Sequence, residues 1–377
     1  MVFLMEVFPV GERVRELLRR RVEDGGFPGA VAVVREEVVA VGYAEDTIFR
    51  VASATKPVTA AAVMALVDDG VLRLQDPVAE WLPELANRRV LTSPDAPLSS
   101  TVAARREVTV RDLLTFTWGF GLVVAAPGAL PVQRAVDELG LGGTGRPHGF
   151  SPEEWLARLG SLPLVRQPGE MWMYHTGADV LGFLVARASG RRFGEFLRER
   201  VFEPLGMVDS GFFVPPERVH RLPVSFAHDQ GSGELVVWDP SVGGKYAVAP
   251  ASELGGDGLV ATAADYAAFQ RMLLSGGGGV LSARSVALMT SDQLTAAQKV
   301  EKDRYPHLFG DHGGFGFCTG VRAGGQFGWD GGLGTSTQCD PALGLNALLF
   351  TQVAQDSEDT PSFIREFWAT VYAEEQR

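Results

Sequence analysis

Apolar and polar positions divide the chain into a strand-rich beginning, a helical middle and a strand-rich end. Residues 11 to 24 carry apolar positions at helical spacing among arginines and glutamates and stop at Gly25-Gly26, which predicts an amphipathic helix. Pro28 to Val34 and Val38 to Tyr43 are apolar, β-branched runs on either side of Arg35-Glu36-Glu37, the pattern of an antiparallel hairpin. Thr47 to Arg50 leads into a mostly apolar run that ends at Asp68-Asp69-Gly70, which predicts a buried helix opening near Ser53. Shorter helical stretches follow at 78 to 86, 109 to 117, 151 to 160, 177 to 189 and 191 to 201, punctuated by Pro and Gly. Gly119 to Pro131 is apolar but rich in breakers, so it is expected to be a long loop that either lines a substrate pocket or packs on the core.

From residue 253 the strand pattern returns. Thr262 caps a helix that runs to Ser275 and is stopped by Gly276 to Gly279. Strand patterns follow at 314 to 322, 325 to 330, 334 to 339 and 344 to 352, and a last helix from Pro361 to about Glu374. The expected fold class is α+β: an antiparallel sheet flanked by helices, built from residues 1–75 plus 253–377. A mainly helical domain, 76–252, is inserted into it, and the active site is expected in the cleft between them.

Composition narrows the function classes. The 46% hydrophobic content and 45 glycines suit a globular enzyme. A net charge of -12 argues against nucleic acid or an anionic membrane as partner. Met1 to Val10 is apolar but lacks a basic start and is broken by Glu6 and Pro9, so no signal peptide is expected and the chain is expected to be cytoplasmic. No apolar run is long enough to span a membrane. Cys318 and Cys339 make neither a disulfide framework nor a zinc site, and no histidine has metal-ligand spacing, so no metal and no other cofactor is expected. Gly255 to Gly258 lacks the features of a phosphate cradle, and no G-x-S-x-G marks a nucleophile elbow.

The candidate chemistry lies in Ser53-Ala54-Thr55-Lys56. Residues three apart on a helix share a face, so Lys56 should reach the Ser53 hydroxyl. A serine attacks poorly until a neighbour takes its proton, and a buried neutral amine does that. Lysine is scarce here, with only Lys56, Lys245, Lys299 and Lys302, and no other serine lies three before one. Tyr174 falls just before the 177 to 189 helix, where its phenol could share a proton with an amine. Gly331 and Gly332 form a glycine-lined strand edge whose N–H groups could approach a reacting carbonyl.

With these three constellations the chain resembles the serine β-lactamase and penicillin-binding-protein superfamily, most closely its class C-like family VIII carboxylesterases. The matching residues are Val51-Ala52-Ser53-Ala54-Thr55-Lys56-Pro57-Val58-Thr59, Val108 to Thr115, Pro168-Gly169-Glu170, Tyr174 with Asp179-Val180-Leu181-Gly182, and Trp329-Asp330-Gly331-Gly332. The resemblance implies Ser53 as the acylated nucleophile, Lys56 and Tyr174 as the proton-shuttling pair, and the N–H groups of Ser53 and Gly332 as the oxyanion hole. Trp118, Phe120 and Trp329 are candidate walls of the acyl pocket, with Asp330 and Gly331 as further substrate-binding positions.

Two departures from the family pattern shape the expected substrate. Where β-lactamases carry a lysine that binds the lactam carboxylate, this chain has Trp329 followed by Asp330; Thr176 stands where an Asn often follows the tyrosine. Losing one charge-assisted contact costs about 1.5 to 3 kcal/mol, before repulsion by Asp330. The leading expectation is therefore a carboxylesterase for short-chain or aryl esters, with a small-molecule ester as its partner. The alternatives are an amide hydrolase (a β-lactamase, a D-amino-acid peptidase or a small-amide hydrolase) and a non-catalytic binding protein of the same fold.

Overall fold

The computed structural model describes residues 10–123, 125–142, 149–229, 231–300, 309, 313–355 and 360–375. Most of the apolar opening Met1 to Val10, and Lys302, lie outside them. Among the described residues the main sheet has seven antiparallel strands. In spatial order these are Glu37–Val41, Ala30–Val34, Leu345–Phe350, Thr335–Asp340, Phe327–Gly328, Gly320–Val321 and Gly314–Phe315. Val31 pairs with Phe350 and Val34 with Ala347, so strands far apart in the sequence lie side by side as the second and third of the sheet.

Both faces of this sheet are covered, which explains why Ala30–Val34 is continuously apolar and why even the polar Thr335–Asp340 strand is buried throughout. Ala30, Ala32 and Val34 point to one face, where Val14, Leu17 and Leu18 of the Val10–Glu23 helix and Phe367 and Val371 of the Ser362–Glu375 helix cover them. Val31 and Val33 point to the other face, into the larger core with Met64, Tyr266, Phe269 and Phe350. The period of two along the strand assigns each residue its layer. The Thr55–Asp68 helix is apolar on nearly every side, and it is buried from Thr55 to Leu66 against the Gly177–Ser189 helix.

Several elements depart from the sequence expectation, each for a local reason. Residues 78 to 86 form two single 3-10 turns, Val78–Glu80 and Pro83–Leu85, because Pro83 interrupts any longer helix. The expected 191 to 201 helix continues from Phe193–Leu197 through a π-helical turn, Arg198–Phe202, to Glu203–Leu205. The 314 to 322 run is two strands, because Cys318, in the left-handed region at φ 52°, turns the chain between them. The long loop after Gly119 ends in an unforeseen helix, Pro131–Glu138, which has proline at its first position. Two unforeseen hairpins also appear, Arg89–Leu91 with Thr101–Ala103 and Ser225–His228 with Leu235–Asp239.

The second of these hairpins is anchored to the sheet. Phe226 N–H donates to the Gln352 carbonyl at 2.8 Å and receives Ala354 N–H on its own carbonyl at 2.7 Å. Arg50, wholly buried, donates from Nε and Nη2 to Asp239 Oδ2 at 2.9 and 2.6 Å, and from Nη1 to Pro223 O and Gln352 Oε1 at 2.8 and 3.0 Å. Burial disfavours the Arg50 cation, and Asp239 offsets part of that effect. Removing one partner of such a pair strands the other charge in the interior. Asp239→Ala should therefore lower the unfolding free energy by about 3–5 kcal/mol in urea denaturation.

Candidate active site

The nucleophile segment is fixed by bonds from distant parts of the chain. Ser53 lies in a 3-10 turn, Ala52–Ala54, that feeds directly into the Thr55–Asp68 helix. Ala52 is held in the left-handed region at φ 46°, a conformation that costs a non-glycine residue roughly 1–2 kcal/mol. The surroundings over-determine it. Val51 N–H donates to Leu259 O at 3.0 Å, Val51 O accepts from Thr335 Oγ1 at 2.9 Å, Ala52 O accepts from Thr55 Oγ1 at 2.7 Å, and Ala54 O accepts from the Tyr266 hydroxyl at 2.8 Å. Strain of this kind persists where it serves to present a group, here the Ser53 hydroxyl.

Two side chains converge on that hydroxyl. Lys56 Nζ donates to Ser53 Oγ at 2.8 Å and to the Gly256 carbonyl at 2.6 Å, and Lys56 itself is completely buried. The Tyr174 hydroxyl lies 2.9 Å from Ser53 Oγ as a donor, and the Lys56 amine lies 4.7 Å from the centre of the Tyr174 ring. The helical spacing of Ser53 and Lys56 produces the first contact. The second depends on Tyr174 preceding the Gly177–Ser189 helix, which packs on the helix that carries Lys56. Each acceptor and donor is within the reach that proton transfer requires.

The glycine-lined edge closes the site from the sheet side. Gly331 approaches the nucleophile turn so closely that a Cβ there would run into Val51 O and Thr335 Oγ1, so only glycine permits this contact. Beside it, a Cβ on Gly332 would meet nothing within 4 Å, and its N–H makes no backbone hydrogen bond among the described residues. Gly332 therefore follows directly on the glycine that contacts the nucleophile turn, with its amide not engaged by backbone.

Trp329 takes part through its indole. Its Nε1–H donates to the Tyr174 hydroxyl at 3.0 Å. Tyr174 lies in an aromatic bed of Phe116, Trp172 and Trp329, with ring centres 5.9, 5.9 and 5.5 Å away, and Phe315 packs under Trp329 at 5.4 Å. Asp330 accepts from Ser336 Oγ at 2.6 Å, and Ser336 in turn accepts from Trp368 Nε1 at 2.9 Å, so Asp330 is tied toward the last helix. Trp118 and Phe120, expected as walls of an acyl pocket, are both buried and belong to the larger apolar core. They are 0% and 3% exposed and pack on each other with ring centres 5.5 Å apart. Between them, Val165 and Arg166 N–H both donate to Gly119 O.

Sequence reasoning did not foresee the Gly256 carbonyl as a Lys56 partner, nor Phe116, Trp172 and Phe315 as the bed of Tyr174. Asp179, part of a matched motif but without an assigned role, accepts Gly256 N–H on Oδ1 at 2.8 Å. Burial first, and then the neighbouring Asp257 carboxylate, push its carboxyl well above the usual carboxylate range. The thiols of Cys318 and Cys339 are buried and raised above their ordinary range by that burial, which leaves them unreactive at neutral pH. No cluster of metal-ligating side chains occurs among the described residues, and no helix there is long and apolar enough to cross a membrane.

The family model described as Beta-lactamase matches residues 14–365. The chain belongs to the beta-lactamase family. Within that family it is 37% identical over 372 residues to an uncharacterised protein of Mycobacterium tuberculosis, covering 89% of each chain. It is 30% identical over 397 residues to esterase EstB of Burkholderia gladioli, covering 95% of this chain and 94% of that one. Its fold matches the structure of EstCE1, described as a hydrolase with promiscuous acyltransferase activity, with a TM-score of 0.79 and 23% identity over 96% of this chain and 98% of the other. Membership in the beta-lactamase family, together with the named esterase relative, sets the coarse class as a serine hydrolase or acyl-transferring enzyme.

In this beta-lactamase-family site the Trp329 indole is a neutral donor to Tyr174. Trp329→Phe keeps an aromatic ring at this position and removes the N–H donor together with the five-membered ring of the indole. A hydrogen bond of this type is worth about 1 to 1.5 kcal/mol, so kcat/KM for an ester should fall about 5- to 10-fold, with the melting temperature nearly unchanged.

Proposed function

We propose that the chain is a carboxylesterase that cleaves neutral short-chain or aryl esters through an acyl-enzyme on Ser53. The observation that carries this reading is the neutral indole N–H of Trp329 on the Tyr174 hydroxyl, beside a Ser53 already hydrogen-bonded by Lys56 and Tyr174. A site that gives the substrate an indole and the nearby carboxylate of Asp330, rather than an ammonium, favours an uncharged substrate over a carboxylate-bearing lactam. Relatedness to an esterase at 30% identity over nearly the whole chain points the same way.

The mechanism follows from the distances. Ser53 Oγ attacks the ester carbonyl while its proton passes to the Lys56–Tyr174 pair, 2.8 and 2.9 Å away. The N–H groups of Ser53 and Gly332 hold the negative oxygen of the tetrahedral intermediate. The alkoxide leaves as an alcohol, taking the proton back, and the acyl group stays on Ser53. Water then loses a proton to the same pair and attacks the acyl-enzyme, and the proton returns to Ser53 as the acid departs.

A second reading, transfer of the acyl group to an alcohol in place of water, uses the same steps and is supported by the description of EstCE1. The test is intact-protein mass after exposure to a fluorophosphonate, with peptide mapping, followed by an ester panel with a lactam control. One adduct on Ser53 and hydrolysis of esters but not lactam is the expected result. An adduct elsewhere, no adduct on folded protein, or lactam turnover matching the esters would sink the proposal. Added short-chain alcohol separates the second reading, since transfer yields a new ester rather than free acid alone.

A further inference from the structure

Asp179 is a buried carboxyl that the proposed steps never use. It lies in the first turn of the Gly177–Ser189 helix, 5% exposed, at the junction where that helix meets the Gly255-Gly256 segment. The contact is made possible by a missing side chain: a Cβ on Gly256 would lie 2.6 Å from Asp179 Oδ1. In that space Asp179 Oδ1 accepts Gly256 N–H at 2.8 Å, and the carbonyl of the same Gly256 accepts Lys56 Nζ at 2.6 Å. Two consecutive short bonds therefore connect the carboxyl to the amine through a single glycine residue.

Burying a carboxyl is costly, and replacing it with an apolar group is often neutral for stability. Its presence here is better explained by what it holds than by what it adds to the core. The charged and titratable groups around it are Lys56 from the nucleophile helix, Asp257 from the glycine-rich segment, and His175, whose Nδ1 is 4.0 Å from Asp179 Oδ2.

We propose that Asp179 is a positioning residue for Lys56: it fixes Gly256 so that the Gly256 carbonyl holds the amine against Ser53 Oγ. This rests on the reading of Ser53 as nucleophile and Lys56 as its proton acceptor. Gly256, lacking a side chain, has no other means on its own to hold its carbonyl on the amine, and displacement of a catalytic group by 1 Å costs about 100-fold in rate. The role needs an acceptor at Oδ1, not a charge. Burial and the Asp257 carboxylate favour the neutral acid, so asparagine is a close mimic of the group in place.

The experiment compares the wild-type chain with Asp179→Ala and Asp179→Asn in ester kcat and KM and in the rate of fluorophosphonate labelling at Ser53. Asp179→Ala should lower kcat and the labelling rate by about 30- to 100-fold and leave KM within about threefold. Asp179→Asn should recover at least about tenfold of that loss. A purely structural carboxyl would change the melting temperature of Asp179→Ala while sparing kcat, and that result overturns the proposal. Asp179→Asn as slow as Asp179→Ala overturns it too, because charge would then be what acts. Should Asp179→Ala fail to fold, Gly256→Ala crowds the same peptide away from the carboxyl. Slowed labelling with KM unchanged upholds the proposal, and a wild-type rate overturns it. Wild-type protein that takes no adduct on Ser53 defeats the hydrolase reading itself, a different outcome from normal labelling in the variants.

Discussion

Ser53→Ala should abolish ester hydrolysis, lowering kcat by at least about 10⁴-fold while the protein stays folded. The physical basis is that the hydroxyl is the one group on which Lys56 and Tyr174 both converge, at 2.8 and 2.9 Å. Removing it deletes the covalent route and leaves only what oriented N–H groups and binding give to attack by water. The side chain is small and only half-buried, so the cavity left by an alanine is minor and the melting temperature should move little. Ester turnover measured against a no-enzyme blank, with circular dichroism on the same sample, reads both quantities. Turnover that survives this change would remove Ser53 from the mechanism.

Lys56→Met should lower kcat by about 10³- to 10⁴-fold, because it removes the amine that touches the nucleophile and keeps the length of the side chain. Lys56 is wholly buried, so its replacement also acts on stability in two opposed ways. The Gly256 carbonyl loses its 2.6 Å partner, at a cost of about 1–3 kcal/mol, while an amine is no longer held out of water. These offset, so a folded variant with a melting temperature close to wild type is expected and the lost activity is not lost structure. Because Ser53 and Lys56 act as one unit, the double variant should be no slower than Ser53→Ala alone. Multiplicative losses in that cycle would mean that the two residues act in separate steps.

Much of this architecture was legible from periodicity and punctuation. The Gly177–Ser189 helix lies where its apolar run predicts it, ending at Gly190 in the left-handed conformation that glycine adopts freely. Thr262 caps its helix, with Oγ1 accepting Asp265 N–H at 3.1 Å, because that pairing is local in sequence. What escaped was held by distant contacts. The Ser225–His228 and Leu235–Asp239 strands carry mixed, partly exposed residues, and their place is set by Gln352 and Arg50 rather than by their own pattern. The Gly256 carbonyl is a backbone atom 200 positions from Lys56, so no side-chain motif reveals it. Trp118 and Phe120 flank Gly119, which turns the chain at φ 93°, and an apolar sequence there suits a pocket wall and a core equally well.

The pairing of Val31 with Phe350 has a consequence for how the protein is made. The ribosome releases Ser53 and Lys56 well before the strand that seats the Val51 carbonyl through Thr335, 284 residues further along, and before the Gly331-Gly332 edge beside it. Domains fold as units as the chain appears, and distant strand pairings form slowly. The nucleophile is therefore synthesised long before the partners that complete its site, so a nascent or C-terminally shortened chain should carry Ser53 and Lys56 without an assembled active site.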